Sequence, residues 1–298
     1  MKKVTIKIMG GLGNQLHCYS FGKAVAHLNK SELLVDSHSG YWHDEYDREF
    51  LLNYFPNYSA SRMGIGESKS EKIYFKLKKK ILQLLSSILP LKAKILVTEE
   101  CNPYHFQEEL INTNFIFNPY FEGYWASYKY YKSIKHDLQK EFIPPMPTNS
   151  SVLQMAQQIE GESSCAIHIR SYKEESGVQR ADMKEYYMQA ISQMKNKLQG
   201  IKFFIFSDDL QFAKDMLHSS MDDTFIFVDL NVSKGNVQSF NDFYLIYIAD
   251  NAIIGDSTFS WWAAWLSDES KDFVIAPRGL SPWGDDWLPD NWIAIKSV

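Results

Sequence analysis

Two Rossmann-like α/β domains facing across a cleft are the fold this sequence predicts, and three observations predict it. A β-α-β pattern opens the chain. Near the middle, Pro144-Pro145-Met146-Pro147-Thr148-Asn149-Ser150 interrupts every regular period. After that break, short apolar runs alternate with helix-length segments, the pattern of a parallel sheet covered on both faces. With 298 residues, 45% of them apolar or aromatic, the chain is long enough for two cores. The domains are therefore expected at residues 1–143 and 151–298, the last residues being candidates to pack back on the first domain.

The elements follow in order. Val4 to Met9 alternates as a strand, Gln15 to Leu28 has helical spacing, and Glu32 to Val35 is a second strand ending at Asp36. Residues 37–126 show no clear period, although Phe115 to Trp125 has strand composition, and helical spacing returns from Tyr128 to Phe142. Beyond the proline break, strands are expected at Cys165–Ile169, Phe203–Phe206, Phe225–Val228, Ala252–Ile254 and Phe273–Ala276. Helices are expected between them at Met183–Leu198, Leu210–His218, Phe240–Ala249 and Trp261–Leu266. In open α/β sheets ligands bind beyond the carboxyl ends of strands, so the loops after Met9, Ile169, Phe206 and Ile254 are where chemistry is expected.

A net charge of -5 leaves no broad basic face, which argues against nucleic acid as a partner. Cys18, Cys101 and Cys165 have neither disulfide nor zinc spacing, and the N-terminus has no signal-peptide core; both point to the cytoplasm. Ile81 to Leu91 is apolar but too short to span a bilayer. Lysines crowd this 72–94 segment, giving two readings: a solvated surface helix, or a helix peripherally seated on the inner face of the membrane.

Four segments carry chemistry. Gly10-Gly11-Leu12-Gly13-Asn14-Gln15 joins a strand to a helix, where glycines admit a ligand to the backbone and the helix start favours a phosphate. Asp36 lies where a dinucleotide-binding fold places its ribose acid, but Leu16 stands at the third glycine position. Cys165-Ala-Ile-His-Ile-Arg170 ends a strand with His168 and Arg170 on one face, and a guanidinium there suits a diphosphate. In Ser207-Asp208-Asp209 one carboxylate can cap the next helix while the other reads a base or ribose. Gly255-Asp256-Ser257-Thr258-Phe259-Ser260-Trp261-Trp262 sets hydroxyls and amides at a helix start, an oxyanion cradle. The structural alternatives are a tight turn, an ion pair, a capped helix and tryptophan packing.

Taken in order, these segments resemble the bacterial α-1,2-fucosyltransferases of glycosyltransferase family 11. The match runs over most of the chain: Gly10 to Gln15, Gly123-Tyr124-Trp125, the Tyr-Tyr helix at Asp182 to Ala190, Ser207 to Asp209 and Ser257 to Trp262. The resemblance implies a GT-B fold, inversion without a metal or other cofactor, and GDP-β-L-fucose as donor to a carbohydrate acceptor in surface polysaccharide synthesis. It places the donor against Gly11, Gly13, Asn14, Gln15, His168, Arg170, Asp208, Asp209, Ser257, Thr258, Phe259 and Ser260. Arg170 is the expected catalytic contributor.

The sequence departs from the family after Arg170, reading Ser171-Tyr172-Lys173-Glu174 where a second arginine is usual, and at Asp256 where asparagine is usual. A transferase for a different nucleotide sugar is therefore an alternative. An oxidoreductase, argued from Gly11, Gly13 and Asp36, and a non-catalytic sugar-binding protein are others. For the base that deprotonates the acceptor, Asp44, Glu45, His17 and Asp36 are all eligible.

Overall fold

A computed structural model describes residues 1–64, 68–100, 102–171, 183–230, 235–279 and 285–296. Cys101, Tyr172, Lys173, Glu174 and Asp182 lie outside the described residues. The chain divides into two compact units, Met1–Glu141 with Trp283–Trp287, and Phe142–Pro282 with Leu288–Val298. Of the last residues, candidates to pack back on the first domain, 283–287 cluster with the first unit and 288–298 with the second. Asp286 joins the first unit, its carboxylate taking Lys129 Nζ (2.5 Å) and the Phe106 amide (2.9 Å). The tail beyond it belongs to the second.

The first unit contains β1 (Lys3–Lys7), α1 (Leu12–Leu28), β2 (Glu32–Asp36), β3 (Ser61–Arg62), α2 (Lys69–Ile88), β4 (Leu96–Thr98), α3 (Glu108–Asn112), β5 (Tyr120–Glu122) and α4 (Lys135–Glu141). Its sheet runs β3-β2-β1-β5-β4, with every pairing parallel. Helix α1 is buried on nearly all sides. Phe21 stacks on Trp125 at 4.5 Å between ring centres, and Gly22 sits so close to Ile6 that a Cβ would meet its side chain at 2.8 Å. The irregular stretch of the sequence thus holds three strands of two or three residues, too short to show a period of two, together with α2 and α3. Gly123-Tyr124-Trp125 lies just past β5, not within a strand, and Trp125 takes a left-handed φ of 53°.

The second unit contains α5 (Ser150–Gly161), β6 (Ser164–Ile169), α6 (Lys184–Lys197), β7 (Lys202–Ser207), α7 (Leu210–Leu217), β8 (Phe225–Phe227), α8 (Asn236–Ile248), β9 (Asn251–Ile254), α9 (Thr258–Leu266), β10 (Phe273–Arg278) and β11 (Ile293–Lys296). The order β11-β10-β9-β6-β7-β8 is parallel throughout. Counted from β6 as the first strand, this is the Rossmann order 3-2-1-4-5-6 read backwards. Helix α5, unforeseen in the sequence, begins at the end of the proline run, where Asn149 caps it through the Ser151 amide (2.9 Å). Strand β11 was also unforeseen.

Every residue of β6 is buried, as a central strand requires. Two tyrosines of α6 pin neighbouring strand ends: Tyr186 donates to Ile254 O (2.6 Å) and Tyr187 to His168 O (2.8 Å). Trp261, Trp262 and Trp265 are buried, with Trp261 stacked on Trp265 at 5.5 Å and tilted against Trp292 at 5.7 Å. These indoles are packing. Among the described residues, no helix is long and apolar enough to cross a membrane.

Candidate functional site

In the second unit the direction of strand succession reverses between β6 and β9, which opens a crevice at their carboxyl ends. Register fixes what meets there. His168 lies opposite Phe206 of β7 and Ile254 of β9, so Arg170 emerges beside Asp208 on one side and the Gly255–Ser257 turn on the other. Arg170 Nε is 3.3 Å from Asp208 Oδ2, while Asp208 Oδ1 accepts the Ser171 amide at 2.7 Å. The sequence suggested an arginine in need of an anion at the end of an apolar strand. The structure shows the ion pair that was the alternative reading: Arg170, its side chain 47% exposed, is paired with Asp208.

His168 is buried and holds Ser260 Oγ at 3.0 Å through Nδ1; its ring is tilted against Phe259 at 5.6 Å. Burial, helped by the nearby Arg170 charge, pushes its pKa down to about 4, so the imidazole is neutral at pH 7. Ser260 also donates to Ser257 O (3.3 Å). Thus His168 and Ser260 brace the first turn of α9. The Ser257 side chain does not cap that helix, and no acid lies in its first turn. Thr258 and Phe259 are partly exposed there. An anion at this start would meet amides and the positive end of the helix dipole.

The two aspartates after β7 have separate tasks. Asp209 caps α7, accepting the Phe212 amide at 3.0 Å, while its own amide donates to Ser207 Oγ (3.1 Å). Of the two, it is Asp208 that faces Arg170.

The first unit has a corresponding switch between β1 and β5. Gly10 has φ 76°, and a Cβ there would come within 2.9 Å of Asn14 Nδ2. The conformational need for glycine therefore falls on Gly10. A Cβ on Gly11 would meet nothing within 4 Å, and this residue is partly exposed, as is Asn14. Gly13 is buried. Gln15 is wholly buried and acts as a brace, donating to Gly10 O (3.0 Å) and Glu49 O (2.8 Å) and accepting the Leu51 amide (2.8 Å). Of this segment, Gly11 and Asn14 remain reachable.

The four candidate bases also separate. His17 is buried against the Tyr131 hydroxyl (2.6 Å), its pKa pushed down to about 3 by burial. Asp36 has no exposed surface and accepts the His38 and Ser39 amides (3.1 and 2.9 Å), the Ser39 hydroxyl (2.5 Å) and the Tyr120 hydroxyl (2.6 Å). Neither is open to an acceptor. Asp44 accepts the amides of Tyr46 (2.9 Å) and Arg48 (3.2 Å), and Glu45 is exposed.

The sequence reading missed Glu99. It accepts the Tyr124 and Trp125 amides, each at 2.8 Å, and so props the turn after β5, with its pKa raised by burial. Its signal was the close approach that Gly123 permits, since a Cβ there would collide with the Glu99 side chain. Among the described residues, no three His, Cys, Asp or Glu side chains are grouped to hold a metal ion.

Parallel sheets with a switch point whose loops carry a basic residue, a carboxylate and a helix start define the doubly wound class of α/β proteins. The glycosyl transferase family 11 model matches residues 3–282, and the chain belongs to that family, a family of glycosyltransferases. It is 26% identical to an alpha-1,2-colitosyltransferase of Escherichia coli over 99% of this chain and 100% of that protein. It is also 29% identical to the O-antigen biosynthesis glycosyltransferase WbnK of Escherichia coli, over 32% of this chain and 30% of that protein. A GDP complex of Arabidopsis thaliana FUT1 superposes with a TM-score of 0.49 at 14% identity, over 89% of this chain and 68% of that one.

Proposed function

We propose that the protein is an inverting, metal-independent α-1,2-glycosyltransferase with a GT-B arrangement. It acts in the cytoplasm, moving a fucose-type sugar from a GDP donor to a glycan hydroxyl during surface polysaccharide synthesis. The observation that carries this reading is the Arg170–Asp208 pair beside the start of α9 at the β6/β9 switch point. The exposed edge of the Arg170 guanidinium meets the diphosphate, and the amides at the start of α9 take its remaining oxygens, while the buried Ser260 hydroxyl stays with Ser257 O and His168. Charge growing on the leaving group is then offset by fixed groups in place of a divalent cation. His168, neutral and sealed behind Ser260, holds that turn in position.

Asp208 presents a carboxylate to the two donors on the guanine edge, N1–H and the exocyclic amine. In this reading the acceptor lies at the first unit, where, of the candidate bases, Glu45 is exposed and Asp44, 10% exposed and paired with Arg48, is the more enclosed. A second reading, in which the sugar is colitose, is favoured by the full-length match to a colitosyltransferase. Colitose is a fucose analogue lacking one hydroxyl, and a site that hydrogen-bonds that hydroxyl would reject it strongly.

The test is donor turnover across GDP-fucose, GDP-colitose, GDP-mannose and UDP-galactose, with and without excess EDTA. Turnover of the first or second, unchanged by EDTA, is expected. Turnover of the uridine donor alone, or full loss in EDTA with recovery on adding manganese, would refute the reading.

A further inference from the structure

We propose that α2 is an interfacial anchor whose outward face lies on an anionic lipid bilayer. The inference stands on the first unit alone and does not depend on which sugar is transferred. Helix α2 begins with a capping box between Ser68 and Glu71 and runs for 20 residues, yet Ser86 is its only buried residue. It touches the sheet through a narrow seam: Lys72, Phe75, Lys79, Leu82 and Ser86, spaced by three and four. Phe75 packs edge-on against Trp42 (5.6 Å) and Tyr120, Lys79 pairs with Glu122, and Ser86 Oγ accepts the Leu96 amide (3.0 Å).

The opposite face is where water should be met, and it is apolar. Ile73, Tyr74, Leu77, Ile81, Leu84, Leu85 and Ile88 are all exposed, Leu84 by 73% and Ile88 by 80%. At 100° per residue these seven fall within an arc of about 120°. Lys69, Lys76 and Lys80 border one edge of the arc and Lys78 the other. From Lys69 to Lys94 the chain carries eight lysines against the single acid Glu71, in a protein whose net charge is -5. A solvated helix would account for the lysines but not for a continuous outward apolar stripe.

Charge selects the occupant. A second copy of this face would bring lysine rows together with no acid to answer them. A bilayer containing anionic lipid supplies both complements at once: acyl chains for the stripe and negative headgroups for the flanking ammonium groups, which reach them on long aliphatic stems. The charge and length of the helix leave it lying in the plane of the interface.

The experiment is co-sedimentation of the whole chain with phosphatidylcholine vesicles, with or without phosphatidylglycerol. The protein is expected to pellet only with the anionic vesicles, and less so at about 1 M salt, where the Debye length falls to about 3 Å. The triple variant Ile81→Asp, Leu84→Asp, Ile88→Asp should partition roughly 100-fold more weakly. Lys69→Gln, Lys78→Gln, Lys80→Gln together should also cost roughly 100-fold. These side chains are exposed, so both variants should keep the wild-type melting temperature and transfer to a water-soluble acceptor, which separates this outcome from failure of the reaction reading. Three results would overturn the proposal: wild type remaining in the supernatant with anionic vesicles, pelleting unaffected by the apolar variant, or a wild-type dimer that the apolar variant dissociates.

Discussion

Asp36 and Asp208 occupy matching places in the two units, each just at the end of the second strand of its sheet, and they have opposite surroundings. Asp36 is sealed, its two oxygens taken by two amides and two hydroxyls of its own chain. Asp208 is open to solvent and spends its oxygens on Arg170 and the Ser171 amide. Position in a Rossmann-like sheet therefore does not make an acid a nucleotide reader. On the proposed reading, what decides is how much of the carboxylate is left: each Asp36 oxygen takes two donors and is buried, whereas each Asp208 oxygen takes one and the residue is exposed. The same contrast separates Gln15, locked as a brace, from Arg170, which keeps an exposed edge.

The hardest test of that contrast is Arg170. Arg170→Ala should lower turnover at saturating donor by about 100-fold to 1,000-fold, the usual cost of removing one positioned donor of developing charge. Arg170→Lys should recover only part of it, because an ammonium cannot make a planar two-point contact. Melting curves would establish that each variant is folded. A folded alanine variant within a few-fold of wild type would make Arg170 a surface ion-pair residue.

Next come the two aspartates. Asp208→Ala should weaken GDP about 10-fold to 100-fold while leaving pyrophosphate nearly unchanged, as loss of charged hydrogen bonds to a base predicts. Equal losses for both ligands would instead make it a positioning residue for Arg170. Asp36→Ala should do the reverse, lowering stability by roughly 2 to 3 kcal/mol in urea titrations through its orphaned donors, with GDP affinity unchanged.

Acid provides a comparison of the two buried histidines. The folded pKa values of His17 (about 3) and His168 (about 4) lie below the unfolded value near 6.5, so the unfolded chain binds more protons as pH drops. Stability should fall from about pH 6.5 downward, by on the order of 2 kcal/mol per histidine at pH 5. Asp242, raised to about 6 by burial, works against this, since its contribution is full in acid and is lost as pH rises through 6. Melting temperatures of wild type, His17→Gln and His168→Gln between pH 7 and 5 should show each substitution flattening the decline. A decline unchanged in both would locate the acid sensitivity elsewhere.

The smallest effect belongs to Asp209. As a helix cap, its replacement by alanine should cost about 1 kcal/mol of stability and leave GDP binding within two-fold or so of wild type, measured by calorimetry. A large loss of GDP affinity would reverse the division of labour between the two aspartates.

Much of the second unit was legible because its strands are long enough to show composition and its helices long enough to show period. The register of β6 against β7 and β9, which brings Arg170 to Asp208 and the start of α9, depends on strand order and was not legible in the sequence. Strands of two or three residues carry no period, which is why β3 and β4 were hidden, and Glu99 with them, whereas β5 falls inside the Phe115 to Trp125 run that its composition marked. Helix α2 inverts the usual rule, since its apolar stripe faces outward. His168 was placed correctly along the chain, but nothing in a linear sequence indicates that Ser260, ninety-two residues on, closes over it.

The indoles packed around α9 have an optical consequence. Trp261 and Trp265 are nearly parallel, 16° apart at 5.5 Å, while Trp262 stands almost perpendicular to Trp265 at 5.2 Å. Chromophores this close couple their transitions and give the protein a near-ultraviolet circular dichroism band set by their mutual angles. Because all three rise from the helix whose first turn faces the candidate anion site, titrating GDP while recording that band is a label-free test of the site, a shift being the expected outcome.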